Sequence, residues 1–150
     1  MSLRHILLCL SIVPLVFHAQ GLRTGDLKCE NLYDPLGIDN TAPHFSWKNY
    51  SPRNNARQTA WEIQVGTDSV KVSRGEADLW SSGKQRSAES VMVGYEGRTL
   101  RSGMLCFWRV RTWDERSKVS SWSDIHRFSV GLLTDKDFPG EYIGLDKSAG

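Results

Sequence analysis

Between Cys106 and Asp114 the residues alternate: Cys106, Trp108, Val110 and Thr112 interleave with Phe107, Arg109, Arg111 and Trp113. Successive side chains of a strand point to opposite faces, so this stretch predicts a strand with one face turned to a core. Trp61, Ile63 and Val65, separated by Glu62 and Gln64, predict a second. Shorter candidate strands run over Leu27–Leu32, His44–Lys48, Asp78–Ser81, Ser90–Tyr95 and His126–Val130. Turn-forming groups separate them, at Tyr33-Asp34-Pro35, Ser51-Pro52-Arg53-Asn54-Asn55, Arg74-Gly75 and Glu96-Gly97. A helical period is absent from this part of the chain.

Seven short strands at this spacing predict an all-β domain, a seven-stranded β-sandwich of immunoglobulin or fibronectin type III-like shape, with an up-and-down barrel as the alternative. The two ends read differently. Arg4, then the apolar run Ile6–Phe17, then Ala19-Gln20-Gly21 follow the charged, apolar, small-residue order of a secretory signal, with cleavage after Ala19 or Gly21. That run contains Pro14 and is shorter than the roughly 20 residues a membrane-spanning helix needs. Residues 1–21 are thus expected to be a cleaved signal peptide, giving a secreted or periplasmic protein without a membrane span, and 22–133 the sandwich. Residues 134–150 read as an exit segment: Gly131-Leu132-Leu133 closes the last strand, and Tyr142-Ile143-Gly144-Leu145 starts an apolar stretch with nothing left to pair with. The chain is therefore expected to precede a further domain.

Composition narrows the function. The 150 residues include 19 basic and 17 acidic side chains, scattered rather than clustered, which gives a net charge of +2 and no phosphate-tracking surface. Nucleic acid is not an expected partner. After the leader the histidines are His44 and His126, each alone, and no Cys or His pair stands at metal-ligand spacing, so neither metal nor cofactor is expected. Nucleophile elbows and phosphate loops are missing. Glycoside hydrolysis needs two carboxyl groups facing across a pocket. Glu62, Glu89, Glu96, Asp114, Glu115 and Asp124 each sit beside polar or turn residues and read as solvated, so no catalytic residue is assigned. Asn49-Tyr50-Ser51 is a glycosylation sequon, compatible with secretion. Cys9 leaves with the leader. Cys29 and Cys106 are either two buried small hydrophobes or, in an oxidising compartment, a disulfide.

All six Trp lie between Trp47 and Trp122. Alternation puts Trp61 and Trp108 inward, while Trp47 and Trp80 fit either core or edge. Trp113 points outward with Arg109 and Arg111, and with Trp122 it predicts an aromatic–arginine ladder of stacked guanidinium and indole planes. The same aromatics, Trp80, Trp113 and Trp122, are the candidates for a contact surface towards sugar or protein.

The chain also resembles a family. Asp34-Pro35-Leu36-Gly37-Ile38-Asp39, Pro43-His44-Phe45-Ser46-Trp47 and Gln58-Thr59-Ala60-Trp61-Glu62-Ile63-Gln64-Val65 resemble the start of bacterial α-L-rhamnosidases of glycoside hydrolase family 78. So do Asp78–Lys84, Tyr95–Leu100, Trp108–Asp114, Ser121-Trp122-Ser123 and Phe128–Leu133, in the same order and spacing. The resemblance implies a fibronectin type III-like accessory domain ahead of further β-domains and a helical barrel carrying the catalytic carboxylates. It implies, for the full-length protein, inverting hydrolysis of terminal α-L-rhamnose from glycans or glycosides. The partners implied are the following domains of the same polypeptide, and rhamnose-containing glycans if the module instead stands free and binds sugar or another surface. Family members often carry Tyr where this chain has Cys106, and a thiol ties a corner poorly. That implies a looser corner, or a Cys106 that reaches Cys29.

Overall fold

The computed structural model describes residues 21–137 and 140. Of residues 1–21, expected to be a leader, only Gly21 is among them, and Tyr142–Leu145 lies outside the described residues. Among these residues seven strands form two antiparallel sheets. The first contains β1 (Arg23–Cys29), β2 (His44–Tyr50) and β5 (Val93–Gly94), in the order β1-β2-β5. The second contains β3 (Gln58–Gly66), β4 (Trp80–Ser81), β6 (Leu105–Asp114) and β7 (His126–Ser129), in the order β4-β3-β6-β7. Two separate sheets make a sandwich, not a barrel.

The core lies where the inward faces meet. Ile63 pairs with Val110 and Val65 with Trp108 across β3 and β6, so each inward side chain of one strand stands beside one of the other. Phe45 of the opposite sheet closes on Trp108 at 4.3 Å between ring centroids and on Phe128 at 5.8 Å. Each such side chain, fully buried, stabilises the fold by about 1.5–3 kcal/mol. Trp47 and Trp61 are core residues too, their rings edge to face at 6.0 Å.

Several sequence-based boundaries shift. The first strand covers Arg23–Cys29 rather than Leu27–Leu32, because the chain reverses at Glu30 and Asn31, both at positive φ, with mutual backbone hydrogen bonds between Cys29 and Leu32. Its first half lacks apolar residues, yet the Thr24 hydroxyl meets the buried Thr112 hydroxyl at 3.3 Å. The segments expected over Asp78–Ser81 and Ser90–Tyr95 shorten to two residues each. Between them the chain changes sheets: Gln85 exchanges backbone hydrogen bonds with Trp61 of β3, whereas Trp47 of β2 donates to the Ser90 carbonyl. A strand-like stretch that serves two edges in turn cannot extend along either.

One element was not expected at all. Helix α1 (Ser69–Ser73) is a single turn, too short to display a 3.6-residue period. Asp68 caps it, its carboxylate accepting from the backbone N–H groups of Val70 (2.8 Å) and Lys71 (3.0 Å). Val72 is fully buried beneath the turn against Gly66, where a Cβ would lie 2.8 Å from the Val72 side chain. Gly66 therefore lets the turn lie on the sheet.

Candidate functional site: the tryptophan–arginine ladder

On the outward face of β6, Arg109, Arg111 and Trp113 stand opposite Gln64, Glu62 and Ala60 of β3. The Arg109 Nε and Nη2 donate to Gln64 Oε1 at 3.0 and 2.8 Å, and its Nη1 donates to the Ser73 carbonyl at the end of α1 at 3.0 Å. That satisfies a carbonyl a helix end leaves without a partner. Burial, with the Arg111 charge beside it, holds Arg109 below its ordinary pKa. Arg111 binds Glu62 through Nε at 2.8 Å and Nη2 at 2.6 Å.

Trp122 reaches this face through the serines around it. Ser120 donates from its backbone to the Thr112 carbonyl, and its hydroxyl accepts from the Thr112 N–H at 3.0 Å. Ser123 does the same with Val110, its hydroxyl accepting at 3.1 Å. β7 pairs with β6 only over Leu105–Trp108, so these serines replace a strand that has ended, and they set the indole over the arginines. Arg109 Cζ is 4.3 Å and Arg111 Cζ 4.5 Å from the Trp122 ring centroid. Same-face neighbours on a strand are separated by roughly 6.7 Å, so the indole lies between the two guanidinium groups. Trp113 follows, with Arg111 at 5.2 Å and Lys84 at 4.7 Å. The sequence runs Arg109, Trp122, Arg111, Trp113, Lys84.

The expected ladder of Trp113, Trp122, Arg109 and Arg111 is present, and Lys84, distant in sequence, extends it. Trp80 does not join it. Its half-buried ring packs on Tyr95 at 5.4 Å and Phe45 at 6.4 Å, at the edge of the core. Cations thus lie over both ladder rings, Arg109 and Arg111 over Trp122 and Arg111 and Lys84 over Trp113.

Two expectations about charge are corrected. Glu62 and Asp114 are buried rather than solvated. Glu62 is covered by its bond to Arg111, and Asp114 accepts from Arg53 Nη2 at 2.8 Å and from the backbone N–H groups of Arg116 and Lys118 at 2.9 and 2.8 Å. Nor is either histidine alone: His44 Nδ1 lies 3.1 Å from Glu30 Oε1, and His126 Nδ1 lies 3.0 Å from Asp34 Oδ1. Alternation could not show these partners, because each comes from another element. The sequon side chain is engaged as well, Asn49 Nδ2 donating to Gln58 Oε1 at 2.7 Å and its Oδ1 accepting from Thr112.

Cys29 and Cys106 are two free, buried thiols. Burial pushes the Cys29 thiol up to about 12 and Cys106 up to about 11. The corner before β6 does have a phenol tie, supplied by Tyr95, whose hydroxyl donates to the Arg98 carbonyl at 2.7 Å.

The clefts formed by the described residues include two of note. One of about 640 Å³ is lined by residues including Arg23, Tyr50, Lys118 and Trp122, and one of about 530 Å³ by residues including Trp47, Asn49 and Gln58; neither has a carboxylate or histidine in its wall. An acid–base pair for glycoside hydrolysis has no place in either. Among the described residues no cluster of three or more His, Cys, Asp or Glu side chains could hold a metal ion, and no helix is long and apolar enough to cross a membrane.

A family model described as the Rha78A-like, N-terminal immunoglobulin domain matches residues 24–134. The chain belongs to this family. An α-L-rhamnosidase of Formosa agariphila is 37% identical over 116 residues, covering 77% of this chain and 12% of that protein. The solved α-L-rhamnosidase of Dictyoglumus thermophilum superposes with a TM-score of 0.74 at 35% identity, over 77% of this chain and 13% of that one. The Streptomyces avermitilis α-L-rhamnosidase, solved in complex with L-rhamnose, gives 0.75 at 33% identity, over 79% and 11%. The Rha78A-like domain thus spans about an eighth of the length of these relatives.

Proposed function

We propose that this Rha78A-like domain is the non-catalytic accessory β-sandwich at the N-terminal side of a secreted bacterial α-L-rhamnosidase. The full-length protein would remove terminal α-L-rhamnose from glycans or glycosides by an inverting route, one carboxylic acid protonating the leaving oxygen and a carboxylate activating water. Those two carboxyl groups would lie in the following domains of the polypeptide. The observation that carries this reading is the match over residues 24–134, joined to two clefts that lack any carboxylate. Buried Glu62 and Asp114 support it, because both already hold arginine and neither is available to a substrate. The role that remains is structural, a rigid unit that packs against its neighbours. The leader-like order of residues 1–21 supports export.

The test is an aryl α-L-rhamnoside assay on the purified 150-residue chain. No release of the aryl alcohol is expected at any enzyme concentration, and turnover proportional to protein would overturn the assignment.

A further inference from the structure

The end of the sandwich where β7 finishes carries leucines that the described residues leave partly or largely exposed. Leu36 is 74% exposed, Leu132 50% and Leu105 43%, with Leu133 beside them at 37%. They gather around Ser129. Leu105 pairs directly with Ser129 across β6 and β7, and the Ser129 hydroxyl accepts from the Gly37 N–H at 2.9 Å, which brings Leu36 to the other flank. The Ser129 N–H donates to the Pro35 carbonyl and the Ile38 N–H to the Ser129 carbonyl, so Leu36 stands out at the bend between them. Leu132 and Leu133 follow in the irregular chain just past the strand's end. Isolated exposed leucines are ordinary, but four on segments that meet at one strand end offer the kind of apolar surface an interface uses.

The chain beyond the patch is fastened. The Leu133 N–H donates to the Ser102 hydroxyl at 3.1 Å, and that hydroxyl donates to Asp137 Oδ2 at 2.6 Å. The same carboxylate accepts from the backbone and hydroxyl of Thr134 at 3.0 and 2.8 Å. A free tether would need no such clasp. The clasp sets the direction in which residues after Leu133 leave, directly beside the leucines.

We propose that Leu36, Leu105, Leu132 and Leu133 form the docking face for the domain that follows this one in the rhamnosidase polypeptide. The occupant is an apolar face of that domain, which follows the clasped residues Leu133–Asp137 in the polypeptide. This rests on the accessory-domain reading, and the relatives supply the length: the chain spans 12% of the Formosa agariphila protein, leaving most of that polypeptide to be placed beyond a domain of this kind.

Amide hydrogen exchange tests the proposal, comparing the 150-residue chain with the longer polypeptide encoded by its reading frame. The expected result is exchange slowed about tenfold or more at the Leu36 and Leu132 amides in the longer polypeptide, with Val70 on α1 unchanged. Leu36→Asp combined with Leu132→Asp should abolish that protection, while Val70→Asp should not. Equal exchange in both lengths overturns the docking face and leaves the accessory-domain reading standing. A frame that stops at Gly150 overturns both. Concentration-dependent dimerisation of the 150-residue chain that protects the same amides assigns the face to a second copy and overturns the proposal as well.

Discussion

Arg111 and Glu62 face each other across β6 and β3, with Nη2 2.6 Å from Oε2, while the Arg111 guanidinium also lies 4.5 Å from the Trp122 ring centroid. One side chain thus holds an ion pair in its plane and an indole against its face, a use that suits the flat guanidinium and not an ammonium. Arg111→Ala would leave Glu62 buried without its charge partner, and about 3 kcal/mol of stability should be lost. Arg111→Lys should recover only part of it. Denaturant unfolding measures both, and a loss below about 0.5 kcal/mol for the alanine variant would mean that the ladder is ornament.

Acid should unfold the domain partly through Glu115. Its carboxyl is held down from 4.5 to about 2, first by the Arg57 backbone N–H and then by the Arg53 guanidinium. Because the folded value lies below the unfolded one, the stability it lends is complete above pH 4.5 and disappears as the pH falls through about 2. Glu30, Asp78 and Asp137 are also lowered and act in the same direction. The expected outcome is a denaturation midpoint that drops between pH 4.5 and 2, with a shallower drop in Glu115→Gln. An identical pH profile for the variant would contradict this.

Gly97 should tolerate no side chain. A Cβ there would lie 2.5 Å from both the Trp80 Cβ and the Tyr95 hydroxyl, atoms fixed by the core edge and by the Tyr95–Arg98 hydrogen bond. Gly97→Ala should cost about 2 kcal/mol or more through overpacking, whereas Gly94→Ala, with nothing within 4 Å, should cost far less. Thermal unfolding of the two variants side by side makes the comparison.

The thiols offer a chemical check. Cys29 and Cys106 are both buried, and their raised values leave almost no thiolate at neutral pH. Neither should react with a maleimide in the native protein, and both should be labelled after unfolding, as read by peptide mass. Labelling of the native protein would contradict the packing, and no labelling after unfolding would reveal a disulfide.

How much of this was legible in the sequence depended on where a residue finds its partners. Alternation marked the inward set of β6 and β3 and set Trp113 beside Arg109 and Arg111, because those relations run along one strand. It could not show that the opposite face is covered too. Glu62 and Gln64 fit a solvent-facing pattern and are buried by Arg111, Arg109, α1 and Trp122. Asp114 sits before a turn and gave no sign of Arg53, 61 positions away, as its partner. Asp68 was the available signal for α1, an N-cap residue before a turn too short for periodicity. The Ser120–Ser123 stretch lacks apolar alternation because its pairing with β6 passes partly through side-chain hydroxyls.

The central claim is that this sandwich is one accessory part of a longer rhamnosidase. The most direct measurement is the sequence of the source DNA past the codon for Gly150. An open frame long enough for the rest of a rhamnosidase is expected, including a helical barrel with paired carboxylates. A stop codon directly after Gly150 would contradict it.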